Sequence, residues 1–166
     1  MRSPTSLAFA SGTLRIKMAR ARSSLEKARF VRENFGIDCF ADDTGLVVDA
    51  LNGEPGVKSA RYAGEQRDSN DNIDLLLKNL ADKENKAARF LTVITLCLNG
   101  HYHQFEGTVE GVIIDEKRGT NGFGYDPVFV PEGQPRTFAE MTMQEKSGLS
   151  HRGRAFAKLV AFLREQ

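Results

Sequence analysis

Little in this sequence points to covalent staples or to a membrane. Only two of its 166 residues are cysteine, Cys39 and Cys97. Both stand in apolar, strand-like stretches and read as small buried hydrophobes of a reducing compartment, not as a disulfide framework. Neither has a histidine at a spacing that suggests zinc. No apolar run approaches the ~20 residues of a membrane span. There is no repeat, no low-complexity tract and no linker, so residues 1–166 are expected to form a single domain. A hydrophobic fraction of 40% and a charged fraction of 27% are those of a soluble globular chain, expected in the cytoplasm.

Acid is scarce where base is abundant. Residues 1–32 hold eight basic groups and one acid, Glu26, for a charge of +7, and the rest of the chain carries −6. Such a leader fits a nucleic-acid arm, a transit peptide or a phosphate-facing surface. It lacks aromatics interleaved with the charges, so nucleic acid is not an expected partner. Leu7-Ala8-Phe9-Ala10 also reads as a first core strand.

Further on, the signals of regular structure are plain. Leu25, Ala28 and Val31 predict one face of a helix over 24–34, with Gly36 as its stop. Residues 37–51 read as strand, polar corner, strand. Ile73, Leu76, Leu77 and Leu80 form a helical stripe behind capping residues. Two β-rich runs joined by Asn99-Gly100 predict a long hairpin. Asp126 to Val130 reads as a short strand. A last helix over 153–165 places Phe156, Leu159, Val160 and Leu163 on one face. The expected fold is α/β, a mixed sheet with a long hairpin and flanking helices.

Three stretches could carry chemistry. In FADDTGL, Asp42 and Asp43 are adjacent, and in extended chain they point to opposite faces. One carboxylate could hold a hard cation or act on water, while the other orients backbone or a helix end; an Asx-type turn is the structural alternative. The stretch RGTNGFGYDPVFVPEG combines glycines, aromatics and Asp-Pro. It fits a tight turn before a strand, or a floor on which a planar ligand stacks. In EKSGLSHRGRA, Ser150 is a plausible helix cap, and Lys146, His151 and Arg152 form a donor cluster suited to oxygen-rich ligands or to a solvated helix start. His101 and His103 share a strand face without an evident third metal ligand.

Together FADDTGLVVDALNGEPGVKSARYAGE, GFGYDPVFVPEG and EKSGLSHRGRAFAKL resemble the inosine triphosphate pyrophosphatase family in order and spacing, from about Lys27 to the C-terminus. The resemblance implies two lobes around a cleft, usually in a homodimer. It implies hydrolysis of ITP, dITP and XTP to the monophosphate and pyrophosphate with Mg²⁺. Carried over, Asp43 is the general base and metal-linked aspartate, and Thr44 a neighbouring substrate contact. Phe123, Gly124, Tyr125 and Asp126 form the nucleoside-binding turn. Lys146, His151 and Arg152 surround base and phosphates.

Residues 1–26 depart from the family pattern. Its Ser/Thr-Gly-Asn-x-x-Lys phosphate loop is matched only by Ser11-Gly12, with Thr13 for asparagine and Lys17 one residue late. Its metal-linked glutamate aligns with Arg22. Ser11-Gly12 could still form a phosphate loop between strand and helix. A family member that binds nucleotide with little or no catalysis is the alternative expectation.

Overall fold

The computed structural model describes the backbone of residues 4–166, with side chains described from residue 14 onward. The first element is a single long helix, α1 (Pro4–Phe35). The strand expected at Leu7–Ala10 and the loop expected at Ser11-Gly12 are therefore both helix. The continuous local hydrogen bonding that starts near residue 4 leaves no strand-to-helix turn there. Helix α1 ends as expected: Gly36, at φ 67°, donates its N–H to the Arg32 carbonyl at 2.9 Å.

Strand β1 (Cys39–Val48) is uninterrupted, so Asp42 and Asp43 lie in mid-strand and not at a corner. A short 3₁₀ turn, a cis Glu54–Pro55 bond and a 3₁₀ segment over Gly56–Arg61 lead to α2 (Ser69–Leu80). The Asp68 side chain caps α2 by accepting from the Asp71 N–H. The predicted hairpin is present as β2 (Ala87–Leu98) and β3 (His101–Ile113). Asn99 and Gly100 turn it with positive φ at both positions, the requirement of a type I′ turn. Strand β4 (Phe129–Pro131) and helices α3 (Met143–Leu149) and α4 (His151–Arg164) complete the chain.

The four strands run in the order β1-β2-β3-β4, all antiparallel. The mixing is thus of helices with strands, not of strand directions. Strand β1 is an edge. Helix α1 lies across one face of β1 and β2, and α4 packs on the other face, against β2 and β3. The larger core gathers Leu46 and Val48 of β1, Ile73, Leu76 and Leu80 of α2, and the rings Phe90, Phe129 and Phe138. A smaller one holds Ile94 and Leu96 against Ala155 and Leu159 of α4. Helix α4 is rotated from its predicted face. Phe156 and Leu163 are exposed, while Phe162 rests on Phe105 and on His103, its ring 4.4 Å from the imidazole. The face that fits the sheet is set by the small residue Ala155, which lets the helix approach Gly107, and the hydrophobic count alone does not register that.

Candidate functional site

The pleat of β1 decides what each aspartate meets. Asp43 points to the α1 face. Its Oδ1 accepts from Lys27 Nζ at 3.1 Å and its Oδ2 from Arg20 Nη1 at 2.8 Å. Lys27 also donates to the Asp42 carbonyl at 2.9 Å. Arg20 is only 5% exposed and donates a second time to the Gly56 carbonyl. Its guanidinium lies against Gly45, where a Cβ would come within 2.7 Å of Nη2. Asp42 points to the α4 face and accepts from Arg152 through Nε at 3.0 Å and Nη2 at 2.9 Å. The second carboxylate therefore orients an arginine at a helix start. Thr44 shares a 2.6 Å hydroxyl contact with buried Thr92.

The glycine-rich turn is held by Asp126. Its Oδ2 accepts the Phe123 N–H at 2.9 Å and pairs with Lys146. Gly122 and Gly124 have φ of 77° and 60°. A side chain on Gly122 would collide with the Asp126 carboxylate, whereas one on Gly124 would meet nothing within 4 Å. Gly124 is thus needed for its backbone conformation and Gly122 for both reasons. Tyr125 is buried and donates its hydroxyl to the Ser59 carbonyl at 2.7 Å, clamping the turn to the segment after β1. Burial pushes its phenol well above the usual range. Phe123 is 62% exposed, with Lys146 Nζ 4.7 Å and Arg152 Cζ 5.5 Å from its ring centre.

Ser150 is the cap the sequence suggested. It ends α3 and starts α4, accepting the Gly153 N–H at 3.0 Å. The next residue, His151, is buried and stacks on Phe90 at 4.6 Å and 17°. Desolvation, then the neighbouring charges of Arg152 and Lys146, bring its pKa down to about 3. Its Nδ1 is buried with no hydrogen-bond partner. At neutral pH this imidazole is therefore uncharged, with one nitrogen as donor and the other as acceptor.

These parts meet in one cavity of about 410 Å³ that wraps the free edge of β1. Its walls include Asp43 and Thr44, then Phe123 to Asp126, then Lys146, His151 and Arg152, which the three motifs from β1 onward contribute, whereas His101 and His103 lie outside it. Lys27 from α1 and Arg67, Ser69 and Asn72 at the start of α2 also line it. Sequence reasoning passed over Arg67 and Asn72. Arg67 takes a left-handed φ of 56° in a turn, and Asn72 is spent on Ala60 and Ala63 backbone, roles without a local signature. Phe123, Lys146, His151 and Arg152 also border a second cavity of about 640 Å³, floored by Phe138 and Met141.

The N-terminal counterparts behave differently. Arg22 is exposed and pairs with Glu26 at 2.9 Å, and Lys17 reaches Glu106 at 2.8 Å. Among the described residues, no three His, Cys, Asp or Glu side chains gather in a way that could hold a metal ion. None of the described helices is long and apolar enough to cross a membrane.

Residues 17–162 match the model of the Ham1 family. A dITP/XTP pyrophosphatase of Flavobacterium psychrophilum is 53% identical over 142 residues, covering 86% of this chain and 75% of that protein. One from Flavobacterium johnsoniae is 52% identical over 141 residues, or 85% and 73% of the two chains. The solved Ham1 protein of Staphylococcus aureus superposes with a TM-score of 0.84 at 39% identity, covering 88% of this chain and 77% of the other. On that sequence match, and on a fold shared with Ham1 structures, the chain belongs to the Ham1 family.

Proposed function

We propose that this chain hydrolyses non-standard purine nucleoside triphosphates, dITP, ITP and XTP, to the monophosphate and pyrophosphate. The observation that carries the reading is the meeting of Asp43 with Phe123, Lys146, His151 and Arg152 around one cavity large enough for a nucleotide. The relatives bearing the name dITP/XTP pyrophosphatase support it. Phe123 supplies an exposed face on which the purine stacks. The N–H groups of neutral His151 and of the part of Arg152 not held by Asp42 pair with the oxygen at purine position 6. An amino group at that position would leave them buried and unpaired, which disfavours adenine. Lys146, held by Asp126, presents positive charge beside the ring. Gly124 and Tyr125 hold the shape of the turn, and Thr44 borders the carboxylate. Asp43 orients and deprotonates the water that attacks phosphorus, and Lys27 accompanies it.

Nucleotide pyrophosphatases generally use a divalent metal, and Mg²⁺ is the ion proposed here. Such an ion would come with the triphosphate, whose oxygens could serve as its ligands and whose charge it would neutralise. The residues present do not fit a resident ion at Asp43, because the charges of Lys27 and Arg20 already balance the carboxylate and, among the described residues, no cluster of three His, Cys, Asp or Glu joins it. The proposal extends to one domain over residues 1–166, a cytoplasmic location and a homodimer, without membrane or nucleic-acid partners. The same engagement of Asp43 favours, as a second reading, a chain that binds nucleotide and turns it over slowly.

Pyrophosphate release from dITP, XTP and dATP, measured beside equilibrium binding of each, tests both readings. Preference for dITP and XTP in both measurements is the expected result. Equal turnover of dATP would overturn base recognition, and selective binding without any turnover would establish the second reading.

A further inference from the structure

We infer that Arg20 is a built-in cation at Asp43, balancing the charge of the carboxylate from behind and so weakening its hold on a divalent ion. Arg20 is buried, reaches Asp43 Oδ2 at 2.8 Å and anchors its other arm on the Gly56 carbonyl. Its position is shaped by the strand: only glycine at 45 leaves room, since a Cβ there would lie 2.7 Å from Nη2, 2.8 Å from Nε and 2.9 Å from the Gly56 oxygen. Its Nε is buried without a hydrogen-bond partner, so the guanidinium is held for its contacts to Asp43 and Gly56 and not by a saturated network.

A guanidinium has donors and no lone pair, so it cannot join a coordination shell; it can only stand in for one. A buried guanidinium 2.8 Å from Oδ2, with Lys27 on Oδ1, already balances the charge of the carboxylate, so a divalent cation there would gain little and would be repelled by both. The second carboxylate does not help. Asp42 points through the sheet to Arg152, and Arg22, the residue aligned with the family's glutamate, faces Glu26. Arg20 itself is absent from the cavity wall, where Asp43 and Lys27 are present. It therefore acts from behind, as a positioning residue: it fixes the rotamer of Asp43 and balances its charge while the other oxygen faces the cavity with Lys27.

The inference concerns the same carboxylate as the proposed function, but its test needs neither nucleotide nor turnover. Mn²⁺ is titrated into the full chain and bound ion is read by electron paramagnetic resonance, with far-UV circular dichroism recording the fold. The unaltered chain is expected to show no saturable binding that depends on Asp43. Arg20→Met should gain such a site, tighter by more than about tenfold, as removal of a buried counter-charge implies. Asp43→Asn in the Arg20→Met background should abolish it. Arg20→Gln, which keeps a donor for Gly56, repeats the measurement if the methionine variant does not fold. Saturable Mn²⁺ binding to the unaltered chain that Asp43→Asn removes would overturn the inference. So would a folded Arg20 variant that gains no site. Loss of turnover with the metal result intact would count against the proposed function alone.

Discussion

His151 has been moved from water to the stacking face of Phe90 at the first position of a helix, and its pKa of about 3 measures the cost of charging it there. An unfolded histidine titrates near 6.5. Between those values the unfolded chain binds the proton and the folded chain does not, so stability at this residue rises with pH. It is fully present above about 6.5 and is lost as pH falls toward about 3. Urea midpoints of His151→Phe, which keeps a stacked ring without a titrating group, should fall less steeply with acid than those of the unaltered chain. Parallel curves would show that His151 is not buried as a neutral ring. Asp43 makes the complementary case. Asp43→Asn should reduce turnover by about 10²–10⁴-fold, the usual weight of a general base. It should also lower stability by roughly 3–5 kcal/mol, since it strands the buried Arg20 charge. Pyrophosphate assays run well below the midpoint of thermal unfolding separate the two effects; near-normal turnover would return Asp43 to a structural role.

Elements show where a sequence is informative and where it is silent. Helix α2 and the β2–β3 hairpin were legible because their cues are local: a hydrophobic stripe in one, Asn99-Gly100 in the other. Helix α1 was only half legible. The face it lays on the sheet is Arg20, Ser24 and Ala28, with Ser24 touching the Thr95 hydroxyl at 2.7 Å. A packed stripe made of an arginine, a serine and an alanine carries no hydrophobic period, so only its partners in β1 and β2 reveal it. Motif resemblance picked out residues that line one cavity, yet the partner of each aspartate was not legible. That Asp42 serves Arg152 and Asp43 serves Arg20 depends on which helix covers which face. The glycine-rich turn separates two demands that sequence confounds. Gly124→Ala meets open space and should cost only the left-handed backbone penalty, about 1–2 kcal/mol. Gly122→Ala adds a collision with Asp126, should cost clearly more, and should weaken nucleotide binding as Asp126 releases the Phe123 N–H and Lys146. Urea denaturation with nucleotide titration measures both; equal losses would refute the distinction.

At the scale of the whole molecule, part of the +7 leader docks on acids of the −6 remainder. Helix α1 lays Lys17, Arg20 and Lys27 on acids of the sheet, Glu106 and Asp43. The contacts are unequal. The Lys17–Glu106 pair is nearly half exposed on both sides, so Lys17→Ala should cost about 0.2–1 kcal/mol, and less still in high salt. Arg20→Met breaks a buried pair and should cost about 3–5 kcal/mol with little salt dependence. Urea unfolding of the two variants at low and high ionic strength checks the contrast, and similar losses would mean that burial does not set the energetics of this helix. The guanidinium seated where a Gly45 Cβ would stand has a further consequence. Strand β1 is an edge strand with neighbouring aspartates, so a one-residue slip would still offer a carboxylate to α1, by exchanging Asp42 for Asp43. The same slip would drive the side chain of Thr44 into the Arg20 guanidinium, where not even a methyl group fits. The arginine thereby proofreads the reading frame of the sheet: docking of α1 accepts one alignment of β1 and rejects its near-degenerate neighbour, so assembly of the helix and choice of the aspartate that faces it become one event.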